Sequence, residues 1–480
     1  MGNKSLAKNS IYNVIYKGLN VVFPLATSMY VSRVLLSGGI GQVASAKNLV
    51  TYFTLLAALG LPTYGTKKIA ENKDCKEKLE RVFSELFLIN LISTFICAIA
   101  YYSIVISVGK YRQDLFLYII VGLQVVLNIF NIDWVYQGIE EYKYIMVRSF
   151  AIKIISFVFI VIFVRNQDDY LFYAFASVLG VALNYVLNVF HLRKILKFRL
   201  RGLNLQQHMK VLIVLFSSSI AVEIYTLSDI TMLTMMTDKI HVGYYSNAIN
   251  GIKTIKDMIV AVCAVFLPRL SYYYSQKIED QFKALAEKGV KILLFFSLPA
   301  ATGCFLLADK IVVILFGADF ANAILTVRIL TVSIVTIGIS NFIGYQILVV
   351  VGKEKIMLII SSFGTIFNIF LNYFLIRNYA HNGAAIASAT TEIIVCIMYL
   401  IAYNDIIGLR WFFKYFIKVA AASLCMAAFV SITLMIHFPT LISLVSSVIM
   451  GVVTYIFMSV ILKNEMSILV LNKIHKSNER

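Results

Sequence analysis

Charge is scarce in this sequence. Only 14% of its 480 residues are Asp, Glu, Lys or Arg, against roughly a quarter in soluble domains. Acidic residues are the scarcer, 25 against 43 basic. Cysteine is also sparse: Cys75, Cys97, Cys263, Cys304, Cys396 and Cys425 form no CxxC pair. Most lie in apolar runs and read as small packing residues rather than disulfides or metal ligands. The six histidines form no HExxH and no paired Cys/His spacing, and no GxxxxGK followed by Ser or Thr occurs. No metal site, no cofactor, no catalytic residue and no ATP site of that kind is therefore expected. Met1–Ser10 is polar and basic, and the segment after it is too long and too polar for a signal-peptide core, so no cleavable leader is expected.

What the chain has instead is apolar length. Sixty per cent of its residues are apolar, in about 14 stretches of the ~17 or more residues that cross a hydrocarbon core as helix. They cover 11–32, 43–66, 83–108, 115–138, 145–164, 170–190, 211–236, 243–267, 289–308, 322–350, 355–376, 383–403, 413–436 and 440–462. Only helices or closed barrels satisfy the backbone in lipid. A barrel strand would alternate apolar and polar residues, and Leu293–Leu307 and Ile394–Ala402 do not. The sequence predicts an all-α polytopic membrane protein with about 14 transmembrane helices.

The gaps between spans separate by charge. One set carries Lys4, Lys8, Lys67, Lys68, Lys73, Lys76, Lys78, Arg81, Lys143, Arg148, Arg193, Lys194, Lys197, Arg199, Arg201 and Lys210. It continues with Arg269, Lys277, Lys283, Lys288, Lys291, Lys353, Lys355, Arg410, Lys414, Lys418, Lys463, Lys473, Lys476 and Arg480, 30 in all. The alternate gaps hold only seven: Arg33, Lys110, Arg112, Arg165, Lys239, Lys310 and Arg377. Basic loops stay cytoplasmic, so both termini are expected in the cytoplasm of a multi-pass protein. The net charge of +18 reads as this bias and not as a nucleic-acid surface.

A weak internal repeat is present. Asn131, Gln137, Glu140 and Lys143 lead into a span ending at Arg165; Asn341, Gln346, Lys353, Glu354 and Lys355 lead into one ending at Arg377. Gly41 before the second span matches Gly243 before the eighth. The expected organisation is two six-helix lobes in parallel orientation, 1–191 and 211–403, joined by a basic connection at 192–210. Two extra helices and a tail follow at 404–480. Transporters place substrate between such halves.

Ionisable residues lie inside the spans, where each is costly and marks a wet cavity or a partner. Lys17, Lys47, Lys153, Lys253, Lys256 and Arg328 are the cations there, with Arg33 at a span end. Asp133, Glu223, Asp229, Asp257 and Glu392 are the acids. Lys253 and Lys256 share a helical face, whereas Lys256 and Asp257 diverge by about 100°. Converging cations could accept an anion, a diphosphate above all. Snorkelling, or pairing with Asp133, Glu223 or Asp229, is the alternative use of the same charges. Asn13, Tyr16, Asn20, Thr27 and Ser28 in the first span, Tyr225 and Ser228 in the seventh, and Asn247, Asn250 and Thr254 in the eighth suit either a sugar path or interhelical hydrogen bonds. Pro24, Pro62 and Pro299 are expected to interrupt helices and Pro268 to end one.

The run Asn9-Ser10-Ile11-Tyr12-Asn13, then Pro24-Leu25, Tyr30-Val31-Ser32-Arg33-Val34-Leu35 and Gly41, resembles the start of Wzx-type polysaccharide flippases. These belong to the multidrug/oligosaccharidyl-lipid/polysaccharide exporter superfamily. Tyr52-Phe53, Leu59-Gly60, Tyr64-Gly65, Lys67-Lys68-Ile69-Ala70 and Asn72-Lys73-Asp74 continue the likeness, as do Gln346-Ile347-Leu348 and Lys353-Glu354-Lys355. Met29 before Tyr30, and Ser37-Gly38-Gly39, depart from the family pattern. The resemblance implies a two-lobed alternating-access transporter in a bacterial cell membrane, not an enzyme. Its substrate would be an undecaprenyl-diphosphate-linked oligosaccharide, moved to the outer leaflet for capsule, O-antigen or exopolysaccharide synthesis. Membrane lipids surround it, and a polysaccharide polymerase is a candidate partner. Lys17, Arg33, Lys47, Lys253, Lys256 and Arg328 would bind the diphosphate, and Asp133, Glu223, Asp229 and Asp257 would couple ions or pair charges. A drug/cation antiporter of the superfamily would favour carboxylates in its cavity; a lipid II-type precursor flippase is the other reading.

Overall fold

A computed structural model describes residues 6–193, 195–199, 202–263, 266–404, 406–436 and 438–468. Its description of side chains leaves out 6–17, 19, 21, 214–215, 217–222, 225 and 261–263. Every element among the described residues is helical. The chain packs as two units, Met1–Gly243 and Tyr244–Arg480.

The first unit contains α1 (Leu6–Ala58), α2 (Leu61–Asn72), α3 (Lys76–Ser107), the single turn α4 (Gly109–Arg112), α5 (Leu115–Leu127), α6 (Asp133–Gly138), α7 (Tyr142–Phe163), α8 (Tyr170–Leu192) and α9 (Gln206–Met236). It closes on the first turn of α10 (Lys239–Cys263). The 53 residues of α1 would reach about 80 Å as one rod, far beyond a bilayer. They break at Leu36, whose φ of 54° is a left-handed conformation that an unbranched helix cannot absorb. Before the break, Lys153 donates to Asn20 and Tyr30 to the Val164 carbonyl, so α1 runs parallel to α7. After it, Ser93 donates to the Ala57 carbonyl and Phe53 meets Tyr101 edge-on, so the second part of α1 runs antiparallel to α3. Pro24 sits inside the helix. Pro62 does not interrupt one: it opens α2, after a break at Leu59 and Gly60, where its missing N–H costs nothing.

Among the described residues, two apolar clusters hold this unit. Val43, Ala46, Val50 and Phe53 of α1 pack on Tyr101 and Val105 of α3 and Leu117, Val121 and Val125 of α5. Leu61, Tyr64 and Ile69 of α2 pack on Phe83 and Leu86 of α3 and Trp134 and Val135 of α6.

The second unit carries the rest of α10, then α11 (Leu267–Ser275), α12 (Glu279–Leu306), α13 (Ala308–Phe316), α14 (Ile324–Leu330), α15 (Val332–Asn341), α16 (Glu354–Asn404), α17 (Arg410–Met435) and α18 (Thr440–Ile461). Pro268 falls in the first turn of α11, and Pro299 lies inside α12. The 51-residue α16 also reverses, at Ala380 with φ 47°. A Cβ on Gly383 would stand 2.0 Å from the Leu375 carbonyl, so the chain folds back on itself there and only glycine fits. Lys291 of α12 reaches Glu287 at 2.5 Å and Glu465 at 2.7 Å, and Tyr455 of α18 donates to the Phe295 carbonyl. These ties fasten α18 and the residues just after it to α12.

Eight helices among the described residues are long and apolar enough to cross a membrane, or nine if the 44° bend between 318–330 and 332–348 lies within one span. Large apolar side chains stand outward along them, such as Phe95 and Ile96 on α3 and Leu441 and Phe457 on α18. In water such faces would aggregate; in a bilayer they meet lipid. The fold is the all-α polytopic architecture that the apolar spans predict.

Candidate functional site

In the first unit Lys47 lies half-buried on α1, its ammonium 4.3 Å from the centre of the Tyr173 ring of α8. An aromatic face attracts a cation most strongly where water is excluded, so the charge is held in place without being neutralised. Lys153 of α7 is set in a similar way, 2.5 Å from Asn20 Oδ1 and 5.9 Å from the Phe23 ring centre. Arg33 is exposed near the end of the first part of α1. The side chain of Lys17 lies outside the described residues, as does that of Tyr225.

The acids of this unit differ in kind. Asp133, at the start of α6, accepts from Arg148 Nη2 at 3.0 Å and from Asn188 Nδ2 at 2.6 Å. Arg148 Nη1 also donates to Asn188 Oδ1. Asp133 is thus the anchor of a charge pair joining α6, α7 and α8. Glu223 is exposed on α9 and accepts from Thr226 within its own turn, whereas Asp229, two turns on, is buried.

In the second unit Lys253 is exposed and Lys256 half-buried on α10, with Asp257 exposed beside them. Arg328 of α14 is half-buried, its guanidinium 5.9 Å from the Phe305 ring centre. Lys47, Asp133, Glu223 and Asp229 therefore belong to one unit, and Lys253, Lys256, Asp257 and Arg328 to the other.

Two polar constellations lie beyond those read from the sequence. The first fixes the basic connection. Glu80 of α3 accepts from the Lys197 backbone N–H and from Arg199 Nε, and Ser84 Oγ accepts the Arg199 N–H. The Glu80 and Glu77 carboxylates hold the Arg199 guanidinium above its ordinary pKa. Buried Glu85 accepts from the Asn204 N–H, Gln207 and Arg81. It also meets His208 Nε2 at 2.9 Å, whose other ring nitrogen is 2.8 Å from the Tyr64 hydroxyl. Glu77, Glu80 and Glu85 stand among Lys76, Lys78 and Arg81 in a charged helix start, which reads as a solvated end and hides this role.

The second constellation is a polar seam between α1 and α9. Thr234 donates to Ser45 at 2.9 Å. Asn48 donates to Thr231 Oγ1 at 2.7 Å and to the Leu227 carbonyl at 3.2 Å, and Thr231 to Tyr52. The i, i+3, i+7 spacing of Ser45, Asn48 and Tyr52 puts them on one face of α1.

Comparison with known proteins bears on this architecture. The sequence profile of the polysaccharide biosynthesis protein family matches residues 6–274, more than half of the chain. A putative O-antigen transporter of Shigella dysenteriae is 22% identical over 404 residues, covering 82% of this chain and 99% of that protein. Among solved structures, the lipid II flippase MurJ in an inward closed conformation is similar with a TM-score of 0.75 at 16% identity, over 96% of this chain and 99% of that one. An inward-facing multidrug resistance MATE family transporter of the MOP superfamily gives 0.67 at 15% identity, over 80% of this chain and 94% of that one. The resemblance read from the opening residues is upheld, and the chain belongs to the polysaccharide biosynthesis protein family.

Proposed function

We propose that this protein is a flippase for polysaccharide precursors, and that it moves an undecaprenyl-diphosphate-linked oligosaccharide from the cytoplasmic to the outer leaflet. The observation that supports this reading is a set of lysines within the apolar spans read from the sequence. Lys47 is held on an aromatic ring in the first unit, and Lys253 and Lys256 share one face of α10 in the second. Cations kept in lipid at this cost suit an anionic cargo, and a diphosphate shares its charge among several point donors. Lys17, Arg33 and Arg328 complete the proposed anion site; Asp133, Glu223, Asp229 and Asp257 pair charges or couple ions. The lobes are 1–191 and 211–403, rocking about 192–210 in alternating access, with 404–480 appended. The O-antigen transporter of Shigella dysenteriae, similar over most of both chains, supports this class of cargo.

Fourteen crossings account for the helices. Each 51-residue apolar helix, Val22–Asn72 and Glu354–Asn404, holds a reversal and counts twice; α9, α10 and the shorter apolar helix at 115–130 supply the rest. Both termini are then cytoplasmic in a bacterial cell membrane, where a polysaccharide polymerase is the candidate partner.

Export of surface glycan, measured in cells lacking the native gene and complemented with variants, tests the site. Lys256→Ala abolishes export while membrane abundance stays normal, and Lys256→Arg restores part of it, since a point-charge contact depends on charge more than shape. Full export by the Lys47/Lys253/Lys256 triple alanine variant would refute the diphosphate site.

A further inference from the structure

The two faces of the second part of α1 are built differently. One carries Val43, Ala46, Val50 and Phe53 into the apolar cluster with α3 and α5. The other carries Ser45, Asn48 and Tyr52 into hydrogen bonds with α9. An apolar face that parts leaves bare hydrophobic surface. Hydroxyls and amides that part can take water or a sugar hydroxyl as new partners. The first face is therefore a permanent joint and the second an exchangeable one.

The seam ends in a backbone crossing and an ion pair. A Cβ on Gly41 would stand 1.7 Å from the Lys239 carbonyl oxygen, and one on Gly243 would stand 1.9 Å from that of Ser37. The start of the second crossing and the start of α10 thus touch main chain to main chain, at two glycines that occupy matching places in the sequence repeat. Beside them, Lys239 Nζ lies 2.7 Å from Asp114 Oδ2, and Gln42 Nε2 donates to Asp114 Oδ1 at 3.3 Å. Lys110 Nζ donates to the Thr237 carbonyl at 3.0 Å. Lys110, Asp114 and Lys239 all belong to the gaps poor in lysine and arginine.

We infer that this seam is the latch of the outer gate: the Asp114–Lys239 pair and the Gly41–Gly243 crossing hold α9 against α1 at rest, and both part to release the cargo outward. The inference rests on the flippase reading and on the outer placement of those gaps. It also explains the boundary between the packing units. The repeat begins the second half near residue 211, yet the first unit extends to Gly243, because the latched seam keeps α9 with α1.

The test is disulfide formation between Ser45→Cys and Thr234→Cys in native membranes under mild oxidant, with the single-cysteine variants as controls and glycan export followed in parallel. Rapid cross-linking is expected, and it stops export until reductant is added. Lys239→Gln slows cross-linking by about threefold, the scale of a half-exposed ion pair, and Asp114→Lys with Lys239→Asp restores it. Gly41→Ala slows it further; should that variant fail to accumulate, Lys239→Gln carries the test alone. Unchanged cross-linking in Lys239→Gln, or normal export by the linked protein where loss of the protein abolishes export, overturns the latch. Cross-linking that responds as expected in a protein whose loss leaves glycan export intact upholds the latch and refutes the flippase reading.

Discussion

Arg148 is a buried charge that depends on two other helices. Its side chain is 3% exposed, and its charge is answered by Asp133 and Asn188 on two other helices. Removing one partner of a buried pair strands the other charge, which costs about 3 kcal/mol or more. Asp133→Asn should therefore lower the melting temperature of the detergent-purified protein markedly. Replacing both partners with apolar residues, Asp133→Leu with Arg148→Met, should cost less than the single change. If the single variant melts as the parent does, Asp133 does not anchor this joint. The sequence reveals Asp133 as a charge out of place, because a carboxylate among apolar neighbours is conspicuous, whereas Arg148 reads there as one more cation of a basic gap. It does not reveal Asn188, since an asparagine near a span end is ordinary there. Lys47 was legible for the same reason as Asp133, whereas its support on Tyr173 needs two helices brought together.

Among the elements, the connection between the halves is the least legible. Its basic composition marks it as a cytoplasmic linker, and a string of lysines and arginines looks like a solvated loop. In the folded protein it is clamped to α3 by Glu80, Ser84 and Glu85. The side chains that organise it lie more than a hundred residues upstream, and no local spacing announces them. The clamp should shield Lys197 and Arg199 from proteolysis. Trypsin added to inside-out vesicles should cut the Glu80→Gln variant after these residues several-fold faster than the parent, as local opening becomes easier. Equal rates would mean that the backbone there is held by other contacts. The all-helical, multi-span architecture was legible for a simpler reason: about 20 apolar residues are needed per crossing whatever packs against them. The reversals at Leu36 and Ala380 were also foreshadowed, as gaps between spans, but the chain makes them without leaving helical geometry for more than one residue.

For the whole molecule, sidedness is the property on which transport depends. The ties between gaps respect the charge split: Lys73 meets Glu140 and Arg199 meets Glu77 on the basic side, while Lys239 meets Asp114 on the other. Fusions of alkaline phosphatase and of green fluorescent protein at Lys110 and at Lys197 should accordingly give opposite signals, phosphatase active at Lys110 and fluorescence at Lys197. Equal signals at both positions would overturn the fourteen-crossing topology. The polar seam adds a consequence in time. Asn48 and its partner Thr231 are 183 residues apart, and at synthesis rates of about 5–20 residues per second α9 emerges roughly 10–40 s after the helix that needs it. Throughout that interval the newborn N-terminal helices sit in lipid with their seam unfilled. Chains ending before Gln206 should then be cleared by membrane quality-control proteases faster than chains ending after Met236, and pulse–chase half-lives of the two would show it. The order in which the ribosome delivers the helices thus makes α9 the point at which a nascent chain becomes safe to keep.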